Sequence, residues 1–311
     1  MAIIPPFFWK SLACLHLLAI SLLYSLVLAA GEVVVVVSAD LPPYRQAQEA
    51  LLKGLDDARR GRAFVLDQLS ADASTLPTDA VCVVAIGTPA AVWLHARQLA
   101  SPLIYCMVSD PAGAGLHHPP AATGVSTDVA IDDQLRLIAD ALPQARTIGV
   151  LYREHDERSR QLLDQARLIL TTGWKLEAVA IDRHDSPAAA IDVLLGHSID
   201  VIWTMPDTAM WTEATVRSLL LTSLRRRVPV FGFSTSFVRA GALFGVGLDP
   251  AVQGTQAGAL VREVLAGKTP MTLAVPPLFD ICLNLVVAQK LNVTLPAALI
   301  ERAKHVFEPG R

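Results

Sequence analysis

The sequence is poor in the residues that most often carry chemistry or cross-linking. It has four cysteines and eight histidines in 311 residues, so any catalytic or metal centre has few candidates to draw on. One cysteine, Cys14, lies in an apolar amino-terminal segment, which leaves Cys82, Cys106 and Cys282 beyond it. An odd number, each inside an apolar run, is against a disulfide framework and predicts buried thiols. There is no nucleophile elbow, because Gly232-Phe-Ser234-Thr-Ser236 lacks the second glycine. GxGxxG, a Walker loop and HExxH are all missing. His117-His118 sits in a Pro-rich connector, the setting of a solvated loop. No basic patch with interleaved aromatics occurs, so nucleic acid is not expected as a partner. An enzyme, a metal and a cofactor are not expected either.

What is present begins with an export signal. Lys10 is the one charged residue in 1–30, and a nearly continuous apolar run follows from Leu12 to Leu28. It closes on Val27-Leu28-Ala29-Ala30, small residues spaced for cleavage after Ala29 or Ala30. An uncleaved anchor is the alternative, since the run reaches the lower limit of roughly 17–25 residues for a membrane span. Cys14 lies at the start of this apolar core rather than its end, which is against lipidation. The expected location is the periplasm or another extracytoplasmic space. Losing Lys10 takes the formal charge from −3 to −4.

The mature chain then alternates strand-like and helix-like runs, the pattern of a parallel sheet covered by helices. Val33–Val37 is five valines bounded by turn residues, as a strand buried on both faces requires. Strands are expected at 63–66, 81–86 and 103–108, and a connector without periodicity at 111–124. A second series of the same build runs from about 125, with strands at 147–151, 175–180, 201–205 and 228–233. The tail carries a strand at 242–247, a helix at 250–266 and a strand-like run at 281–287. About 280 residues suit two lobes better than one. We expect lobe 1 to comprise 31–124 plus about 242–275, and lobe 2 to comprise 125–241 plus about 276–311. Several crossings between lobes would leave a hinge and a cleft.

Each strand ends in a small polar loop, and open α/β sheets bind ligands at the carboxyl ends of their strands. The candidates are Ser38, Asp40, Gly87, Thr88, Ser109, Asp110, Asp207, Thr208, Ser234 and Asp249, with Tyr44, Phe233 and Trp203 as apolar walls. Gly87-Thr88-Pro89 opens a helix, where backbone N–H groups suit a carboxylate. Asp110 and Asp207 suit an ammonium group or hydroxyls. Each residue singly could equally cap its own helix; their recurrence after at least five strands favours a shared site. The cluster Arg153-Glu154-His155-Asp156 could face the cleft or form a solvated helix start favoured by the helix dipole.

These loops also carry a resemblance. Asp40-Leu-Pro-Pro-Tyr-Arg45, Ile86-Gly-Thr-Pro-Ala-Ala91, Val108-Ser-Asp-Pro-Ala-Gly113, Thr123-Gly-Val-Ser126, and Pro229-Val-Phe231 with Arg239-Ala-Gly-Ala242 occur in order. Together with the tail Asn284-Leu-Val-Val-Ala-Gln-Lys-Leu-Asn-Val-Thr-Leu-Pro296, they resemble the solute-binding proteins of ABC transporters related to the tryptophan-binding type. The resemblance covers essentially the whole mature chain. It implies a type I periplasmic binding protein fold: two Rossmann-like βα lobes with parallel sheets, joined by a multi-strand hinge and closing on a small ligand. That ligand is often an aromatic or branched amino acid. The implied partners are a membrane permease and ATPase, with the receptor itself a monomer. Members often have Asp-Asn-Thr where this chain has Asp207-Thr208-Ala209, and an acidic residue near Ser234. Ser234 removes a charge, which puts a sugar ligand and a simple amino-acid site in question. The sequence also admits a periplasmic sensor feeding a kinase or chemoreceptor. A two-lobed racemase would need one loop cysteine from each lobe, whereas Cys82 and Cys106 fall inside strands of one lobe.

Overall fold

The structure is a computed structural model, and it describes residues 32–55, 61–69, 76–77, 80–118, 122–170, 173–207, 209–268 and 274–308. The segment expected to be an export signal, 1–30, and Thr208 lie outside the described residues. The chain divides into two compact units, one running up to Val125 and resuming at Pro250–Val275, the other Ser126–Asp249 and from Pro276 onward. It therefore passes between the units three times.

The elements in chain order are β1 (Val33–Val37), α1 (Pro42–Lys53), β2 (Ala63–Val65), β3 (Cys82–Ile86), α2 (Thr88–His95), β4 (Leu103–Val108) and β5 (Thr123–Ser126). Next come α3 (Ile131–Ala141), β6 (Thr147–Tyr152), α4 (Glu157–Ile169), β7 (Lys175–Ala180), α5 (Pro187–Leu194), β8 (Val201–Trp203), α6 (Glu213–Arg226), β9 (Val230–Gly232), α7 (Thr235–Ala240) and β10 (Phe244–Gly247). The tail holds α8 (Pro250–Leu265), β11 (Ala274–Val275), β12 (Asp280–Asn284), α9 (Leu285–Leu291), α10 (Ala297–Arg302) and β13 (His305–Phe307).

The first sheet has the order β11-β5-β4-β3-β1-β2. Its central strand β1 pairs in parallel with both β2 and β3. The valine run is continuous because both faces of β1 are covered. Val33, Val35 and Val37 pack with Ala47 and Leu51 of α1 and with Ala257 and Val261 of α8. Val34 and Val36 pack on the other face with Ala90, Ala91 and Leu94 of α2. All five valines are buried, as parallel strands between helix layers must be.

The second sheet has the order β13-β12-β10-β9-β8-β6-β7. Its pairs are parallel except β10 with β12. Ile148 and Val150 of β6 face a cluster with Leu135, Ile138 and Leu163, and Leu151 faces Ile191, Leu194 and Leu219. The α/β class and the parallel sheets are as the sequence suggests.

Three details correct the sequence reading. The strand expected at 242–247 in the first lobe is β10, which pairs instead with β9 and β12 in the second sheet. The strand-like run 281–287 is strand only to Asn284, whose side chain then caps α9 by accepting from the Val287 N–H at 3.1 Å. The connector 111–124 ends in β5, a short strand at a site where Gly-containing sequence gives no alternation.

Candidate functional site

In both sheets the strand order reverses beside the strand that starts the unit's first βα step. The chain leaves β1 toward β2 and later returns to β3 on the other side of β1; it leaves β6 toward β7 and returns to β8. The carboxyl ends of β1 and β3, and of β6 and β8, are therefore the switch points where doubly wound sheets leave a crevice for ligands.

At the first switch point, Ser38, Tyr44, Gly87 and Thr88 converge. Ser38 is buried; its hydroxyl donates to the Ile86 carbonyl at 2.9 Å and accepts from the Ala90 N–H at 3.0 Å. It thus caps α2 from a separate strand, which is needed because the helix's own cap residue, Gly87, has no side chain to do so. Gly87 has φ +93°, a backbone region that favours glycine. A Cβ there would come within 2.5 Å of Ser38 Oγ and 3.0 Å of the Tyr44 ring. Three elements meet at Gly87 because it has no side chain. Thr88 is partly exposed at the first turn of α2.

The other candidates of this unit are differently placed. Asp40 is exposed and ion-paired to Arg45. Ser109 is exposed directly after β4. Asp110 has φ +49°, and its carboxylate accepts from the Gly113 N–H at 3.1 Å, so it shapes its own turn.

The second switch point is charged. Arg153, immediately after β6, donates from Nε to Asp207 Oδ2 at 2.6 Å, and a terminal nitrogen lies 3.0 Å from Asp156 Oδ2. Asp207 Oδ1 accepts from the Ala209 and Met210 N–H groups, each at 3.0 Å. Hydrogen bonding to Asp207 raises the Arg153 pKa, with burial opposing it and the nearby carboxylates reinforcing it. Asp156 caps α4 through the Ser159 N–H, the helix-start alternative for this cluster. Asp182, after β7, accepts from the Glu154 and His155 N–H groups and from His155 Nδ1. Burial pushes its pKa up, but those hydrogen bonds prevail and hold the carboxyl well below the usual range. Arg158 and Asp128 form a further half-buried pair at 2.6 Å. The sequence named Arg153 and Asp156 but gave no sign that Asp207 would be Arg153's partner, because that contact joins residues 54 apart.

Phe233 and Ser234 line a hollow of about 500 Å³ between α6 and α7. Its aromatic wall is Phe233, Phe237 and Trp211, with ring centroids 5.3 Å apart for Phe233–Phe237 and 5.4 Å for Trp211–Phe237. Ser234 also caps α7 by accepting from the Phe237 N–H. Trp203 does not serve as a ligand wall: it is 1% exposed and donates to Gln134 Oε1 at 2.9 Å within the core. Asp249, just before the second passage between units, pairs with Lys304 at 3.2 Å; Lys304 also reaches Asp280, just after the third, at 3.1 Å.

The chemistry of the thiols agrees with burial. Cys82, Cys106 and Cys282 are free, and desolvation pushes the first two to about 12. At neutral pH they are protonated and poor nucleophiles. Among the described residues, no group of three or more His, Cys, Asp or Glu is placed to hold a metal ion. Also among them, no helix is long and apolar enough to cross a membrane.

Two doubly wound units joined by three passages, each with hydrogen-bonding groups at its strand ends, define the fold of type I periplasmic binding proteins. Solved structures share it. One is a Streptococcus pneumoniae ABC domain in complex with L-Trp, at 22% identity and TM-score 0.61, covering 89% of this chain and 99% of that one. Another is the ligand-free, open structure of a substrate binding protein with adhesive properties from Clostridium difficile, at 19% identity and TM-score 0.72 with the same coverage. A curated relative, a tyrosine-binding protein of Clostridioides difficile strain R20291, is 26% identical over 246 residues, 73% of this chain and 70% of that protein. The profile of the family described as ABC transporter substrate binding protein matches residues 68–307, and the chain belongs to that family. It is a family of extracytoplasmic proteins that bind small molecules for an ABC permease, and not of enzymes.

Proposed function

We propose that this protein is the exported receptor of an ABC importer and that its ligand is an amino acid, with aromatic ones the first to test. The observation that carries this is the pair of polar switch points, one per unit, in a chain of this family. The relatives whose names mention tyrosine and L-Trp point the same way.

The ligand-contacting residues in this reading are Thr88, Tyr44, Ser109 and Asp110 from the first unit. Phe233, Ser234 and the Arg153–Asp207 bridge are the candidates of the second, and Asp40, Thr208 and Asp249 are further candidates. Ser38 and Gly87 act by building the edge on which Thr88 sits. At the start of α2 the Ala90 N–H is taken by Ser38 and Pro89 has none, so Thr88, with its N–H and hydroxyl, is the group offered to the ligand's carboxylate. A serine at 234 leaves no carboxylate there for sugar hydroxyls or for a ligand ammonium, so the choice between them falls to the other residues.

Calorimetry of the full chain against the twenty L-amino acids and a panel of monosaccharides tests the reading. The expected result is micromolar or tighter binding, about −8 kcal/mol, to one or a few amino acids. Binding of a sugar alone, or of nothing in a well-folded preparation, would sink it. Thr88→Ala and Asp110→Ala should weaken binding without unfolding the protein. Wild-type affinity in both variants would move the site elsewhere.

A further inference from the structure

Asp207 is a natural acceptor for a ligand ammonium, yet the structure gives it another partner. Its side chain is 7% exposed, whereas that of Arg153 is 31% exposed. At the β6/β8 switch point a solute therefore meets the guanidinium more readily than the carboxylate behind it. Arg153 is also fixed from two directions, by Asp207 at 2.6 Å and by Asp156 at 3.0 Å. A guanidinium immobilised in this way keeps a planar set of N–H donors in a defined orientation, the geometry that matches a carboxylate.

We infer that Arg153 sets the charge preference of the ligand site: it withdraws Asp207 from ligand cations and offers N–H donors to an anionic oxygen group of the ligand. This rests on the reading of the strand ends as the ligand site. Asp156 and Asp182 lie on the same side of the unit, so the neighbourhood is not positive overall. Discrimination then comes from donor geometry at contact and not from long-range attraction. It should survive 0.5 M salt, where exposed charges are screened over a few ångströms.

The test compares each of the twenty L-amino acids with its carboxamide, which keeps the ammonium and loses the carboxylate. Calorimetry is run on the full chain, wild type, Arg153→Gln, Arg153→Lys and Asp207→Asn, with thermal melts to verify folding. The wild type should favour the acid by about tenfold or more, as expected when a site built for a hydrogen-bonding group meets an analogue lacking it. Arg153→Gln should bring the acid-to-amide ratio near one. Arg153→Lys keeps the charge but not the planar donors, so it should give an intermediate ratio; it also covers the case in which the Gln variant does not fold. Asp207→Asn should weaken both ligands while the acid stays preferred.

An unchanged ratio in a folded Arg153→Gln or Arg153→Lys protein overturns the inference, because a merely structural role would lower both affinities together. So does a wild type that binds acid and amide alike, and in both cases the amino-acid reading itself survives. A wild type that binds none of the forty compounds overturns that reading and this inference with it.

Discussion

The two switch points occupy the same position in their sheets but are built from opposite materials. In the first unit, a serine hydroxyl, a glycine and a tyrosine ring close the gap between β1 and β3, and the Asp40–Arg45 pair beside them is exposed. In the second, an arginine and an aspartate bridge the gap between β6 and β8. One junction depends on close steric approach and the other on charge. The difference teaches that a doubly wound sheet fixes where a site lies but leaves its chemistry to one or two residues after each strand.

The steric junction should be the more fragile. Gly87→Val places a branched side chain at φ +93° against Ser38 and Tyr44. Combined backbone strain and overpacking should cost about 3 kcal/mol or more in chemical denaturation and abolish binding. A folded variant with wild-type affinity would show that the close approach of these elements is dispensable.

The charged junction should respond less. Asp207→Asn replaces the charged partner of Arg153 while leaving Asp156 in reach, so about 1–3 kcal/mol should be lost. Denaturation in low and high salt checks it, and a loss below a few tenths would place the bridge among ordinary surface pairs.

Ser38→Ala removes both the cap on α2 and the bond to Ile86, for an expected loss of about 1–2 kcal/mol with weaker ligand binding. If stability falls and affinity does not, the start of α2 is not part of the site.

The smallest effect concerns pH. Asp182 has a folded pKa below its unfolded value of about 3.9. Its contribution is thus complete above that pH and is lost as pH falls toward the folded value. Asp182→Ala should cost about 1 kcal/mol at pH 7 and progressively less below pH 4. A pH-independent difference would mean that its charge is not what matters.

Much of this was legible in the sequence because buried parallel strands leave unmistakable apolar runs. The valines of β1, the alternation of strands with helices and the polar residue after each strand all follow from local pattern. What was not legible depends on partners distant in the chain. Nothing near Trp203 announces that Gln134 will receive its indole N–H, so a buried tryptophan looks like a ligand wall. Ser38 and Gly87 each stand out as polar or turn residues after a strand, but that one supplies the cap the other lacks requires the β1–β3 pairing. The affiliation of β10 is hidden for the same reason: it is decided by β9 and β12, not by its own residues.

The helix α8 has a bearing on how the chain comes to be folded at all. It covers Val33, Val35 and Val37, which are made more than two hundred residues before it. Gly254 lets α8 lie against the backbone of α1 at Ala47, where a Cβ would come within 2.0 Å of the carbonyl oxygen. Until residue 265 has left the ribosome, one side of the first sheet lacks this cover. The long interval raises contact order and slows closure of the core. The order of synthesis thus withholds until late the piece that completes the core of the first unit.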